Sequence, residues 1–102
     1  MAFAQGSTSV TLDDIYGSVS DLDLISHYLG VSKVPCIINS PLRKDSRPSF
    51  GFYSNDGIKI NYTDLSTKDR GGVIDLLSKL WNTDFKGVLK RIDNDLPNIA
   101  KT

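Results

Sequence analysis

Side chains suited to binding nucleic acid are concentrated in the middle of this sequence. Residues 31–70 contain seven Lys or Arg and four Asp, whereas residues 1–30 contain four Asp and no Lys or Arg. Lys and Arg neutralise phosphates, and aromatic rings stack on unpaired bases. The candidates for phosphate contacts are Arg43, Lys44, Arg47, Lys59, Lys68 and Arg70, and the rings expected to be exposed are Tyr53 and Tyr62. The competing interpretation is that each is an ordinary solvated surface residue.

Other kinds of site have little support in the sequence. Cys36 and His27 are the single cysteine and the single histidine. One cysteine cannot form an internal disulfide, and one cysteine with one histidine cannot complete a zinc site. His27 has no plausible nucleophile beside it, and no phosphate-cradling glycine loop is present. We therefore predict that the chain by itself is not an enzyme and uses no metal or other cofactor.

Composition indicates one globular domain. The 102 residues are 39% hydrophobic and 24% charged, and the net charge at pH 7 is zero, which argues against a strongly basic stand-alone nucleic-acid binder. No apolar run approaches the length of a membrane span, and residues 1–9 lack the basic flank and apolar stretch of a signal peptide. With a lone thiol, these features predict a cytoplasmic protein with no membrane partner.

Two short helices are expected before the basic section. Thr11 with Asp14, and Ser20 with Asp23, have the spacing of capping boxes with Asp in place of Glu. Gly30 is placed to end the second helix in a left-handed conformation. Residues 1–10 are predicted to form a frayed terminus.

Three antiparallel strands are predicted next, over residues 35–39, 49–53 and 58–62. Asp56-Gly57 between the last two supplies the turn chemistry of a hairpin, because glycine accepts a positive φ. Phe50 and Phe52 share one strand face and are expected in the core, and residues 40–48 form a polar loop.

The C-terminal part of the chain is predicted to be helical. One helix follows Gly71-Gly72, a second is capped by Thr83, and Pro97 ends regular structure. The predicted fold is therefore α+β, a small antiparallel sheet flanked by N-terminal and C-terminal helices. Its domain spans residues 11–96, and residues 97–102 form a tail or linker.

Five motifs in order resemble a known family. They are Ser40-Pro41-Leu42-Arg43, Asp45-Ser46-Arg47-Pro48-Ser49-Phe50, the hairpin, Tyr62-Thr63-Asp64-Leu65-Ser66-Thr67, and Gly71-Gly72 before a helix. This order is similar to that of the N-terminal zinc-ribbon domain of bacterial and phage DNA primases. The resemblance covers about residues 11 to 95.

The chain departs from that family at the metal. The four positions that hold zinc in the family fall on Ser40, Arg43, Asp64 and Thr67, none of which is Cys or His. Zinc prefers thiolates and imidazoles, and a permanent cation such as Arg43 repels it. The resemblance therefore implies a zinc-ribbon-like, metal-free domain, in which an ion pair between Arg43 and Asp64 is a hypothetical substitute for the metal.

The resemblance also implies a role in DNA replication. It implies a non-catalytic module that binds single-stranded template DNA on its sheet surface, as part or relative of a phage or mobile-element primase. Other primase domains, a helicase or another replication protein are the implied partners. The DNA-binding candidates are Arg43, Lys44, Arg47, Lys59, Tyr62, Lys68 and Arg70. The alternative is a metal-free interaction module that docks a replication partner without binding DNA; the zero net charge favours it, and the local basic excess favours DNA.

Overall fold

A computed structural model describes residues 10–42, 44 and 47–99. It has a four-stranded antiparallel sheet, with two helices before it and two after it in the chain. This confirms the predicted α+β class. The helices are α1 (Leu12–Tyr16), α2 (Asp21–Leu29), α3 (Val73–Trp81) and α4 (Phe85–Ile99). The strands are β1 (Cys36–Ile38), β2 (Phe50–Tyr53), β3 (Asn61–Asp64) and β4 (Arg70–Gly72). Residues 1–9 of the predicted frayed terminus lie outside the described residues, and Val10 packs against the core.

Both N-terminal helices begin at the predicted capping boxes. The Thr11 hydroxyl accepts from the Asp14 N–H at 3.2 Å, and the Asp14 carboxylate accepts from the Thr11 N–H at 3.0 Å. Ser20 and Asp23 make the same reciprocal pair at the start of α2. Gly30 ends α2 in the left-handed conformation with φ 73°. These bonds satisfy helix N–H groups that have no partner within the helix.

The sheet has one strand more than predicted. Its strand order follows the chain, β1-β2-β3-β4, and every neighbouring pair is antiparallel. The prediction treated Gly71 and Gly72 only as the entry to a helix, but both also belong to β4. Glycine has little preference for strands, so the sequence carried no signal for this short edge strand.

The predicted hairpin forms, but its second strand begins three residues late. Asp56 Oδ1 accepts from the N–H groups of Ile58 at 2.8 Å and Lys59 at 2.9 Å. These N–H groups point to the carboxylate instead of to a neighbouring strand. The prediction of a strand over residues 58–62 is therefore wrong at its start, and β3 begins at Asn61.

Two predictions about the last helix are wrong. The Asp84 carboxylate, rather than Thr83, caps α4 by accepting from the Gly87 N–H at 2.8 Å. The helix also continues through Pro97 to Ile99. Proline leaves a carbonyl of the preceding turn without its helical partner. Ile99 is only 1% exposed, and its burial offsets that cost.

The core lies between one face of the sheet and the helices. Helix α3 packs on β3 and β4, α4 packs on α3 and α1, and α2 contacts both α3 and α4. Phe50 and Phe52 are buried here as predicted. The helices contribute Ile15, Leu24, Ile25, Leu76, Leu77, Val88, Leu89 and Ile92. None of the helices within the described ranges is long and apolar enough to cross a membrane.

Candidate nucleic-acid interface

One face of the sheet points away from the core, and all four strands contribute residues to this face. Ile37 pairs with Gly51, Gly51 with Thr63, and Thr63 with Arg70, so these residues form a row across the sheet. Tyr53 lies on the same face, because side chains alternate along a strand and it is two residues from Gly51. We refer to Ile37, Gly51, Tyr53, Thr63 and Arg70 as the open face.

A shallow groove crosses the open face at Gly51. Its walls are formed by Pro35, Ile37, Tyr53, Thr63 and Leu65. A Cβ atom added to Gly51 would meet its nearest neighbours at 3.8 to 3.9 Å, which is ordinary van der Waals contact. The missing side chain at Gly51 therefore leaves room on the floor of the groove. A flat apolar group could lie there beside the Tyr53 ring.

The basic candidates divide between the two ends of the sheet. Because the strands are antiparallel, the β1–β2 and β3–β4 connections lie at the same end, and the β2–β3 connection lies at the other. Among the described residues, the first end carries four exposed cations, Lys44, Arg47, Lys68 and Arg70, and we call it the basic end. Lys59 is exposed but belongs to the opposite end. Arg43 lies outside the described residues.

Tyr62 does not have the exposed ring that was predicted. It is 1% exposed and stacks on Phe50 with ring centroids 5.1 Å apart, on the core face of the sheet. The alternation of Ile60 with Tyr62 was the available signal, since both point to one side of the chain and Ile60 is apolar. Tyr53, which is half-buried, is the tyrosine on the open face.

The Tyr62 hydroxyl instead joins a polar network at the basic end. It donates to Asp69 Oδ2 at 2.9 Å and accepts from Lys79 Nζ at 2.7 Å, and Lys79 contacts the same Asp69 oxygen at 2.5 Å. The Lys79 hydrogen bond lowers the pKa of Asp69, and Asp69 in turn raises the pKa of Lys79. Burial raises the pKa of Tyr62. The charges of Lys79 and Asp69 cancel each other. The negative charge of Asp69 therefore does little to reduce the positive charge of the four cations at the basic end.

Two of the four positions that the resemblance matches to zinc ligands stabilise turns through hydrogen bonds. Asp64, which is buried, accepts from the N–H groups of Ser66 at 2.9 Å and Thr67 at 3.2 Å. Ser40, also buried, accepts from the Leu42 N–H at 3.1 Å. Each side chain therefore stabilises the turn that begins with it.

The other two positions differ. Thr67 is exposed, and its hydroxyl accepts from the Asp69 N–H at 3.2 Å. The hypothetical ion pair between Arg43 and Asp64 involves a residue outside the described ranges. Within those ranges, no group of three or more His, Cys, Asp or Glu side chains could hold a metal ion.

The lone thiol and the lone histidine lie away from the open face. Cys36 is half-buried on the core side of β1, and burial raises the pKa of its thiol, so the reactive thiolate is disfavoured. His27 is exposed and contacts the edge of the Tyr28 ring with centroids 4.8 Å apart.

The apolar walls of the groove were not predicted from the sequence. Ile37 and Leu65 are 56% and 49% exposed. The strand pattern could have placed Ile37 opposite the core, because its neighbours Cys36 and Ile38 face inward with Phe52 and Phe50. Leu65 follows β3 in a turn, where alternation gives no guidance. Comparisons of the chain with protein families, curated proteins and solved structures found no match.

Proposed function

We propose that this chain is a non-catalytic, primase-like module that binds single-stranded DNA on the open face of its sheet. The observation that carries the proposal is that the Tyr53 ring and the Gly51 groove share one face, on which the row through Gly51 and Thr63 leads to Arg70 of the basic end. Stacking surfaces combined with a positively charged track are the usual means of binding single strands without reading their sequence.

In this arrangement one unpaired base would stack on Tyr53 and lie over Gly51. The groove lining is mainly apolar, so it suits the flat face of a base better than its hydrogen-bonding edge. Arg70 lies in the same row as Gly51 and would hold a phosphate. The proposal therefore expects little base specificity.

The phosphates would continue towards the basic end. Lys44, Arg47 and Lys68 lie in the loops beyond the groove, at the end of the sheet where Arg70 begins β4. Lys59 is separated from them by the length of β2, about 13 Å for four residues. It would contact DNA only if the strand followed β2 across the whole face.

The test is fluorescence anisotropy with a labelled thymidine oligonucleotide at low and at moderate salt. The variant carries Arg47→Ala, Lys68→Ala and Arg70→Ala, and the matched control carries Lys33→Ala, Lys86→Ala and Lys90→Ala. All six residues are exposed, so both proteins lose three positive charges from the surface. We expect the variant alone to bind weakly, with a salt slope reduced by about 0.7 for each lost phosphate contact.

A second variant tests the groove. Gly51→Val should fold, because the Cβ position has ordinary contacts and valine favours strands. Its side chain would occupy the floor on which the base is proposed to lie. We expect the loss of one stacked base, about 1–3 kcal/mol of binding free energy, with an unchanged salt slope. If Gly51→Val bound the oligonucleotide with unchanged affinity, the groove would not be part of the DNA-binding site.

The second candidate function is docking of a replication protein on the same face. The exposure of Ile37 and Leu65, with Pro35 beside them, favours it, because apolar groups gathered in one patch are typical of protein interfaces. Absence of DNA binding by the wild-type chain at low salt would favour this function over the first.

A further inference from the structure

The end of the sheet opposite the basic end carries an acidic surface. Helices α1 and α2 meet there, and Asp21 connects them to the strand side by accepting from the Ile60 N–H at 2.8 Å. Four aspartates and no Lys or Arg are found in residues 11–30. We call the three exposed ones, Asp13, Asp14 and Asp23, the acidic corner, whereas Asp21 is buried. The charge of this surface is opposite in sign to that of the basic end.

An exposed apolar residue projects beside the acidic corner. Ile58 is 76% exposed, more than any other large apolar side chain in the described part of the chain. Asp56 holds its loop by accepting from the N–H groups of Ile58 and Lys59, and the Gly57 N–H donates to Ser54 Oγ at 2.9 Å. The loop is therefore braced, and little conformational freedom would be lost when Ile58 docks.

A groove at this end joins the two features. Ile58 and Lys59 line one side of it, and the other side is formed by residues 16–21 and Asp23. The lining is mainly apolar and includes Tyr16, Val19 and Ile58. Asp56 in the same loop balances the charge of Lys59. An apolar surface with an acidic rim is the complement of an apolar surface with a basic rim.

The open face is such a complement within the same molecule. It exposes Ile37, with Leu65 beside it, and it is bordered by the basic end. We propose that the chain associates head to tail with a second copy, the Ile58 loop (residues 54–60) and acidic corner of one copy lying on the open face and basic end of the next. A net charge of zero at pH 7 removes the repulsion that keeps many small proteins monomeric.

Two different surfaces meet in this contact, so it is a heterologous one. A third copy can then add to a dimer unless the ring closes. The association does not depend on DNA binding. If the open face also binds single-stranded DNA, the two ligands would compete for it, and DNA would dissociate the assembly.

Sedimentation velocity of the full chain over a concentration series is the test. We expect the weight-average mass of the wild type to rise with concentration at low salt and to fall when salt is added. Ile58→Ser and Leu65→Ser should each be monomeric, because each loses one of the two surfaces. Phe85→Ser is the matched control, since Phe85 is 49% exposed on α4, lines neither groove and should leave association unchanged.

Mixing the two monomeric variants gives the decisive result. The first variant, Ile58→Ser, keeps its open face, and the second, Leu65→Ser, keeps its Ile58 loop. Together they should form a one-to-one dimer that cannot grow further. A wild type that stays monomeric at low salt, assembly that survives Ile58→Ser, or a mixture that stays monomeric overturns the proposal. Circular dichroism of each variant checks that it is folded.

Discussion

The Asp21 carboxylate accepts a hydrogen bond from the backbone N–H of Ile60, a residue thirty-nine positions later, at 2.8 Å. Its second oxygen accepts from the Tyr16 hydroxyl. A side chain in the first turn of α2 therefore connects α1, α2 and the residue before β3. Asp21 is buried, so these donors replace the water that it loses on folding.

Replacing Tyr16 with Phe tests this connection. The substitution removes the donor to a buried carboxylate oxygen and should lower the free energy of unfolding by about 1–3 kcal/mol. Urea denaturation at pH 7 measures the loss. Tyr28→Phe is the matched control, because Tyr28 also donates to a carboxylate, that of Asp95 at 2.7 Å, but Asp95 is only half-buried. Equal losses in both variants would contradict the role given to Asp21.

Alkaline pH should weaken the same contact. Burial, with the Asp21 hydrogen bond, raises the pKa of Tyr16 above its ordinary value. The folded state then favours the neutral phenol, and this stabilisation is complete below the ordinary tyrosine pKa of about 10 and is lost as pH rises above it. We expect Tyr16→Phe to lose less stability than the wild type between pH 9 and pH 11 on thermal denaturation. Parallel curves for the two proteins would contradict the expectation.

The two glycines of β4 should respond differently to substitution. A Cβ atom on Gly71 would lie 3.2 Å from Tyr62 Cε1 and 3.0 Å from Asp75 Oδ2, whereas a Cβ on Gly72 would meet its nearest atoms at 3.9 Å. Gly71 lies opposite Tyr62 on the core face, where the ring cannot move away easily. Gly71→Ala should cost about 1–3 kcal/mol of folding stability, and Gly72→Ala less than about 0.5 kcal/mol. Urea midpoints that fall equally would show that the ring adjusts.

Asp64 should be important for the turn after β3. Asp64→Ala removes the acceptor of the Ser66 and Thr67 N–H groups and is expected to cost about 1–3 kcal/mol. Asp64→Asn keeps an acceptor oxygen and should cost less. Guanidinium denaturation of both variants measures the difference. If both variants lost equal stability, the negative charge of Asp64 rather than its hydrogen bonds would be responsible.

Acid should release the network around Tyr62. Because the pKa of Asp69 is lowered, mainly by Lys79, its contribution to stability is complete above the ordinary aspartate pKa of about 4 and is lost as pH falls below it. We expect Asp69→Asn to have a lower melting temperature than the wild type at pH 7. At pH 2.5 the difference between the two melting temperatures should be smaller. Lys79→Met, which keeps the aliphatic chain, should behave in the same way. If the difference in melting temperature were the same at all pH values, this ion pair would be excluded as a source of stability.

The local parts of the fold could be predicted from the sequence, because their causes are local. The capping boxes at Thr11 and Ser20 and the left-handed Gly30 each depend on neighbouring residues, and the structure has all three. Phe50 and Phe52 were assigned to the core by strand alternation alone. The class of fold followed from the order of these elements.

The errors arose where a tertiary contact or a second local signal prevailed. The Asp56 carboxylate accepts hydrogen bonds from the N–H groups of Ile58 and Lys59, so these residues do not join β3. Burial of Ile99 stabilises α4 beyond Pro97. For the candidate site, the basic residues were found by composition. The residues of the open face could be identified only from the register of four strands. Gly51 could not be predicted as part of the site, because its contribution is the space left by its missing side chain.

The strand order has a consequence for the speed of folding. Each strand pairs with its neighbour in the chain, so the sheet can form by closing three successive short loops. The contact between Asp21 and Ile60 joins distant segments, and its loop-closure entropy must be overcome before it stabilises anything. We therefore expect the sheet to form early, and the docking of α2 on the segment before β3 to come late and to limit the overall rate.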